Sequence, residues 1–282
     1  MEPGQHPGFV KEVTSFIYIS LIISDYLIDL STLKCSALVP TRYAEYVTKY
    51  AGQFSTSAWL YVSFDDKTRL RDLVHNAFFT NFSSAQLVTN QPGPFDIPQS
   101  SYTVSRSQCC GLVAQYSFYP QTNFPSFTIS FYWQTNGLAS FGIFHESQSE
   151  SEMRLSLISN GLNLDIVSHY AGGTSSKVSA GAVFSPNQWK FVSITYDRPN
   201  RRLTVYDDRL TLVTQKNNFN VEPGRSSNFK IGYAVDSGSH AQVTMSPSAA
   251  IACFSIFSDV LSGEQLAGLP CLCEIKPKPN QI

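Results

Sequence analysis

A chain of 282 residues is long enough for one large β-sandwich with extra segments, or for two smaller domains. Charged residues make up 15%, below the usual quarter, while aromatics reach 13%, a balance that excludes disorder and coiled coil and suits sheets. A net charge of −1, with no Lys/Arg run longer than two residues, leaves no electrostatic footprint for nucleic acid.

In chain order, the apolar run from Phe16 to Ile23 comes first, preceded by Lys11 but also by Glu2 and Glu12. Two readings stand: the apolar core of a signal peptide, or a strand or short helix packed on the domain. The run is shorter than the roughly 20 apolar residues of a transmembrane helix. Further on, Tyr43, Tyr46, Val47 and Tyr50 recur at the spacing of one helical face, with Pro40 fit for a first turn and Gly52 for a stop. Residues 1–55 are therefore expected to form a partly helical N-terminal extension.

Strand signals begin at Trp59–Asp66. Asn81-Phe82-Ser83 is the one N-x-S/T sequon and makes Asn81 a candidate glycosylation site. Gln91-Pro-Gly-Pro94 and Ile97-Pro98 mark turns, and Gly111–Phe118 is a further strand. In Phe127–Trp133, Phe127, Ile129, Phe131 and Trp133 fall on one face and Thr128 and Ser130 on the other, predicting a ribbon with one buried and one wetter face. Gly142–His145, Arg154–Ile158 and Leu162–Val167 follow, with Asn160-Gly161 as a tight-turn signal for a hairpin.

Trp189–Asp197, Arg202–Tyr206, Phe229–Tyr233 and Ala250–Phe257 complete the set. After the last strand, Ser262 and Gln265 have the spacing of a capping box, flanked by Leu261 and Leu266 at the staple positions. One short helix is expected there, stopped by Leu269-Pro270. Residues 274–282, with Lys276-Pro-Lys-Pro279, read as an extended tail. The pattern predicts an all-β chain: an antiparallel jelly-roll β-sandwich over residues 56–273, with one short C-terminal helix.

The segments Phe127–Trp133, Gly142-Ile-Phe144, Trp189–Asp197 with Leu203–Tyr206, and Ile251–Phe257 with Leu261-Ser262 resemble laminin G-like domains. These belong to the wider concanavalin A-like lectin/glucanase jelly-roll group, which includes the pentraxins. The likeness runs over about residues 58–268. It implies a calcium ion at one rim, held by a carboxylate at Glu152, carbonyls near Tyr170-Ala-Gly-Gly173, and a ligand in the Asp236–Gln242 loop, for which Asp236 stands in. Calcium takes about six to eight oxygens, so a carboxylate with carbonyls and water is chemically sound. The same glutamates (Glu146, Glu150, Glu152) also read as an ordinary solvated loop.

Six cysteines, an even number, fit disulfides: Cys35, Cys109, Cys110, Cys253, Cys271 and Cys273. A bond from Cys253 to Cys271 or Cys273 would resemble the C-terminal disulfide of laminin G-like domains. The acidic pairs Asp65-Asp66 and Asp207-Asp208 sit at strand ends, where turn aspartates bond their own backbone. A glucanase Glu-x-Asp-x-x-Glu arrangement, a Gly-x-Ser-x-Gly elbow and zinc-ligand spacings are absent from the sequence.

These residues lead to the expectation of an extracellular, lectin-like binding or adhesion module, not an enzyme, that recognises a glycan or a protein through rim loops. Trp133, Tyr170, Tyr196, Tyr206 and Tyr233 are eligible to stack on a sugar, and most are expected to fill the core instead. The alternatives are a glycoside hydrolase of the same fold and a structural module of a larger surface or matrix protein.

Overall fold

The computed structural model describes residues 58–62, 64, 71–72, 77–78, 80–81, 87–94, 101–104, 112–116, 126–147, 153–169, 175–221, 227–236 and 242–272. The expected N-terminal helix, the signal-peptide reading and the tail lie outside them. In chain order come β1 (Ala58–Val62), β2 (Arg71–Asp72), β3 (Ala77–Phe78), β4 (Thr80–Asn81), β5 (Leu87–Gln91), β6 (Ser101–Val104) and β7 (Leu112–Tyr116). The longer strands follow: β8 (Phe127–Thr135), β9 (Ser140–Ser147), β10 (Met153–Asn160), β11 (Asn163–His169), β12 (Ser175–Ala180) and β13 (Lys190–Asp197). The last are β14 (Arg202–Tyr206), β15 (Leu212–Lys216), β16 (Ser227–Ile231), β17 (Tyr233–Val235), β18 (Gln242–Thr244), β19 (Ala249–Phe257) and the helix α1 (Gly263–Leu272).

Two antiparallel sheets form the expected jelly-roll sandwich. One is ordered β15-β14-β13-β8-β19-β6-β5, with β1 also on β19; the other is β12-β11-β10-β9-β16-β7-β4. Their inner faces meet in one core. Phe127, Ile129, Phe131 and Trp133 of β8 are all buried in it, as the alternation predicts, opposite Phe144, Leu157, Ile166 and Phe229. Phe131, Phe254, Phe144 and Phe229 form a chain of rings across the sandwich, with successive centroids 6.1, 5.1 and 5.6 Å apart. At these separations stacked rings add about 0.5–1.5 kcal/mol per pair to burial alone.

The wetter face predicted for β8 is not wet. Thr128 and Ser130 are 0% and 1% exposed. Thr128 Oγ1 donates to the Asp259 carbonyl at 2.8 Å and accepts from the Leu261 N–H at 3.0 Å. Ser130 and Ser255 share a hydroxyl bond at 2.6 Å. The cover is α1 and its lead-in: Leu261, Leu266 and Leu269 pack with Tyr132, Phe191 and Phe257 in a second cluster on the outer side of this sheet.

The helix start is as read, with Gln265 N–H to Ser262 Oγ at 3.3 Å and Ser262 N–H to Gln265 Oε1 at 2.7 Å. Its end is a correction: α1 continues through Pro270 to Leu272. A proline in the last turn removes one helical bond, and Leu269, buried in the second cluster, holds the segment in place.

The Asn160-Gly161 hairpin is present with its turn displaced by one residue. Asn160 pairs with Asn163, so Gly161 and Leu162 make the turn. Gly161 alone of the two has a positive φ, 61°, the requirement of a type II′ turn.

Candidate functional site

β16 ends at Ile231 because Gly232, at φ 78°, turns the chain out of the sheet. The hairpin β17–β18 that follows lies on the outer face of the seven-stranded sheet. Gly232 N–H donates to the Ile143 carbonyl at 2.8 Å, and Met245 N–H to the Gly232 carbonyl at 2.8 Å. Beneath the hairpin, Ala234 and Val243 pack on Ile158 and Val167 as a small separate core. Gly142 is the point of closest approach. A Cβ there would lie 2.2 Å from the Val243 carbonyl oxygen and 2.5 Å from the Ala234 nitrogen.

A polar group is sealed under the same hairpin. His145 Nδ1 and Ser156 Oγ are hydrogen-bonded at 2.7 Å, and Val235 N–H donates to the same hydroxyl at 3.3 Å. Burial first, then the charge of Lys230 and that of His169, pull the His145 pKa from 6.5 to about 3, so the ring is neutral. Tyr233 packs edge-on against the imidazole at 5.4 Å and carries Lys230 Nζ 4.6 Å from its centroid.

Beside this lies a charged cluster that spacing alone does not announce. Asp165, 3% exposed at its side chain, takes Lys177 Nζ at 2.8 Å, Asn160 Nδ2 at 3.0 Å and the Ser179 hydroxyl. Burial works to raise its pKa; the bonds from Lys177, Ser179 and Asn160 outweigh that and hold it below the usual value. Asp236, one of the two carboxylates named for calcium, stands 3.9 Å from the same Lys177 ammonium. An ion at Asp236 would meet a resident cation. Among the described residues no group of three or more His, Cys, Asp or Glu is placed to hold a metal. Glu152 and Tyr170–Gly173 lie outside the described residues, although the flanking strands bring their two connections to one end of the sheet: Met153 pairs with Ser147, and His169 with Ser175.

The remaining named residues divide as follows. Cys253 is disulfide-bonded and sits at a bulge of β19 with φ 50°, which turns it outward into the cluster beneath α1. Cys271 is in α1, and Cys273 lies outside the described residues. Asn81 ends β4, opposite Leu112 of β7. Asp207 bonds its own turn, its Oδ1 accepting from Arg209 N–H and Thr211 N–H, as expected of a turn aspartate. Of the aromatics eligible to stack on a sugar, Trp133, Tyr196 and Tyr233 are buried and Tyr206 is packed against the cluster under α1; Tyr170 lies outside the described residues.

Both outer faces are occupied over these central strands, and the described loops of one rim form an open surface beside them. Four connections meet there: β8–β9, β10–β11, β12–β13 and β18–β19. Backbone hydrogen bonds join them to one another and to the strand ends between them. Asn136 N–H reaches the Ser248 carbonyl at 3.2 Å, Gly161 N–H that of Ala139 at 3.3 Å, Phe184 N–H that of Leu162 at 3.0 Å, and Asn187 N–H that of Thr135 at 2.7 Å. Leu138 stands on this rim at 85% exposure. The signals were present as ordinary turn residues, Asn136-Gly137 and Asn160-Gly161, which do not reveal that separate turns join.

The family description "concanavalin A-like lectin/glucanases superfamily" matches residues 114–267. No curated protein matches the chain. Among solved structures, the botulinum neurotoxin type G receptor binding domain is similar at 15% identity and a TM-score of 0.53, over 75% of this chain and 50% of that one. The receptor binding domain of botulinum neurotoxin D gives 17% and 0.55, over 75% and 51%. The serotype D ligand binding domain in complex with N-acetylneuraminic acid gives 18% and 0.52, over 75% and 50%. The match thus spans about half the length of those chains, and at such identities the likeness is one of fold. The family match, by contrast, extends over more than half of the 282 residues on the same strands that build the sandwich, and the chain belongs to the concanavalin A-like lectin/glucanase superfamily.

Proposed function

We propose that this protein is an extracellular binding or adhesion module that recognises a glycan or protein ligand through a loop rim of its sandwich. The observation that carries the reading is the double cover: α1 packs on the outer face of one sheet over β8, β13 and β19, and the β17–β18 hairpin on that of the other over β10 and β11. A ligand then meets loops held on a rigid scaffold, the usual place for recognition. The fold neighbours that are toxin receptor-binding domains, one in complex with N-acetylneuraminic acid, support a binding role. An oxidised Cys253, with Cys271 or Cys273 as its proposed partner, and the Asn81 sequon support a location outside the cell.

Catalysis is the rival. A retaining glycosidase needs two carboxylates about 5 Å apart, one of them held protonated. Here Asp165 and Asp236 stand on either side of Lys177, and Asp165 is held charged. That is the opposite of what a general acid requires.

The test is binding of the labelled, oxidised full chain to cell surfaces and matrix, before and after glycosidase or protease treatment, with calcium and with chelator. Saturable binding removed by one of the two treatments is expected. Loss on chelation would make binding calcium-dependent, and its further loss in Glu152→Ala would place the ion at the Glu152–Asp236 end. A folded sample that binds nothing, or that cleaves polysaccharide, would overturn the proposal.

A further inference from the structure

The stitched rim has a chemistry of its own. Its four loops and the strand residues that flank them carry a single charged residue, Lys190, and that ammonium is paired with Asp208 at 2.8 Å. The neighbouring β14–β15 turn adds Asp207 and Arg209, so among the described residues these loops, their flanks and this turn hold two acids and two bases. What the rim does carry is carboxamide. Gln134 donates from Nε2 to the Asn187 carbonyl at 3.1 Å. Asn136 accepts at Oδ1 from Leu138 N–H at 3.1 Å, and Asn163 at Oδ1 from Ala182 N–H at 2.9 Å. Because the partners of Asn136 and Asn163 are N–H groups, their oxygen ends are fixed inward by chemistry and their NH₂ ends are left for another partner. Among the described residues no protein group takes those NH₂ ends, or the Gln134 oxygen. Each amide thus uses one end to shape the rim and keeps the other.

Leu138 has the same double character. Its N–H anchors the loop while its side chain stands 85% exposed, on a loop whose geometry is fixed by Gly137 N–H to Thr135 Oγ1 at 3.1 Å and by Leu162 packed where a Gly137 side chain would be. A rigid, uncharged surface with one apolar projection among free amide donors and an acceptor matches a sugar ring: an apolar C–H face bordered by hydroxyls. Preorganised loops also limit the ordering cost of binding.

We propose that this rim is a binding site for an uncharged glycan, with Leu138 against the apolar face of a sugar and the free amide ends of Gln134, Asn136 and Asn163 on its hydroxyls. The inference rests on the binding-module reading and names the ligand class and location within it. It places the site at the end of the sandwich opposite the β9–β10 and β11–β12 connections.

The experiment is a glycan array of neutral, sialylated and sulfated oligosaccharides, probed with the full chain at low and high salt. It includes Leu138→Arg, Asn136→Asp, which keeps the oxygen that caps the loop and removes the free donor, and Asn200→Ala at the far rim as a control. The expected result is binding to neutral glycans that changes less than about twofold with salt, since no ion pair is made. Both rim variants are expected to lose about tenfold or more, as residues at the centre of an interface do, and the control none. Salt-sensitive binding to acidic glycans would overturn the ligand class. Neutral binding untouched by the rim variants, or lost equally in the control, would overturn the location. No glycan bound, while the chain still binds cells in a protease-sensitive manner, would overturn this inference and leave the wider reading in place.

Discussion

Gly142→Ala isolates the hairpin cover from the rest of the sandwich. A methyl at this position falls 2.2 Å from the Val243 oxygen, 2.5 Å from the Ala234 nitrogen and 2.6 Å from the Tyr233 carbonyl carbon. All three are backbone atoms, so no rotamer change relieves the contact. The hairpin must move out by about 1 Å to restore van der Waals separation. That loosens the bond from Val235 N–H to Ser156, worth about 1 kcal/mol. It also uncouples Ile158 and Val167 from Ala234 and Val243, where full exposure would cost about 1.5–3 kcal/mol for each of the larger side chains. A shift of this size loses about half of that burial, and the stiffer unfolded chain of alanine returns about 0.4–1 kcal/mol. The net expectation is a destabilisation of about 1.5–3.5 kcal/mol, read by urea denaturation of the full chain. Hydrogen exchange should quicken at the amides of β17 and β18 and hold steady in β8 and β13. A variant within about 0.5 kcal/mol of the parent, the ordinary scatter of a surface change, with unchanged exchange, would refute the reasoning.

Two further outcomes follow from the groups around the hairpin. His145 has a folded pKa below its unfolded value, so its contribution to stability is complete above about pH 6.5 and falls as pH drops toward about 3. The full span corresponds to about 5 kcal/mol as an upper figure; His145→Gln should flatten the stability curve between pH 6.5 and about 4, and an unchanged slope would rule the residue out as its source. Lys177→Met should cost about 1–3 kcal/mol, less than a sealed pair because Lys177 is 38% exposed and Asp165 keeps Asn160 and Ser179. Asp165 stabilises the fold above its unfolded pKa and loses that contribution as pH falls through the folded one. Without the ammonium the folded pKa of Asp165 moves back toward the unfolded value, so the variant should lose less stability than the parent as pH falls through the carboxylate range, and an identical acid slope would count against the cluster.

Period-two alternation made β8, β13 and β19 legible, because each buries one full face in a single shared core. The capping box of Ser262 and Gln265 was legible because it is local chemistry. The same rules misjudged Thr128 and Ser130: polarity marked them as outward, but the cover over Thr128 depends on Asp259 and Leu261, more than 130 residues along the chain. The hairpin over Gly142 was hidden for a similar reason. Its strands, Tyr233–Val235 and Gln242–Thr244, are three residues each, and the first looked like a continuation of β16. The close approach that defines the hairpin is to a glycine in β9, a strand far upstream that only the folded sheet brings beneath it. Asn160-Gly161 could be read as a turn at once, whereas the meeting of the rim amides along one edge is a property of strand order.

The seams of that rim are main chain to main chain, and this has a consequence for how its surface can change. The links among the four loops need a carbonyl and an amide hydrogen, which nearly every residue supplies. Side chains at the exposed positions are therefore open to replacement with little effect on loop geometry, provided Gly137, Gly161 and the inward amides stay. Such a scaffold can drift from one specificity to another by point substitution, and a combinatorial library built on Leu138 and its exposed neighbours would be a practical way to select new binders from the same frame.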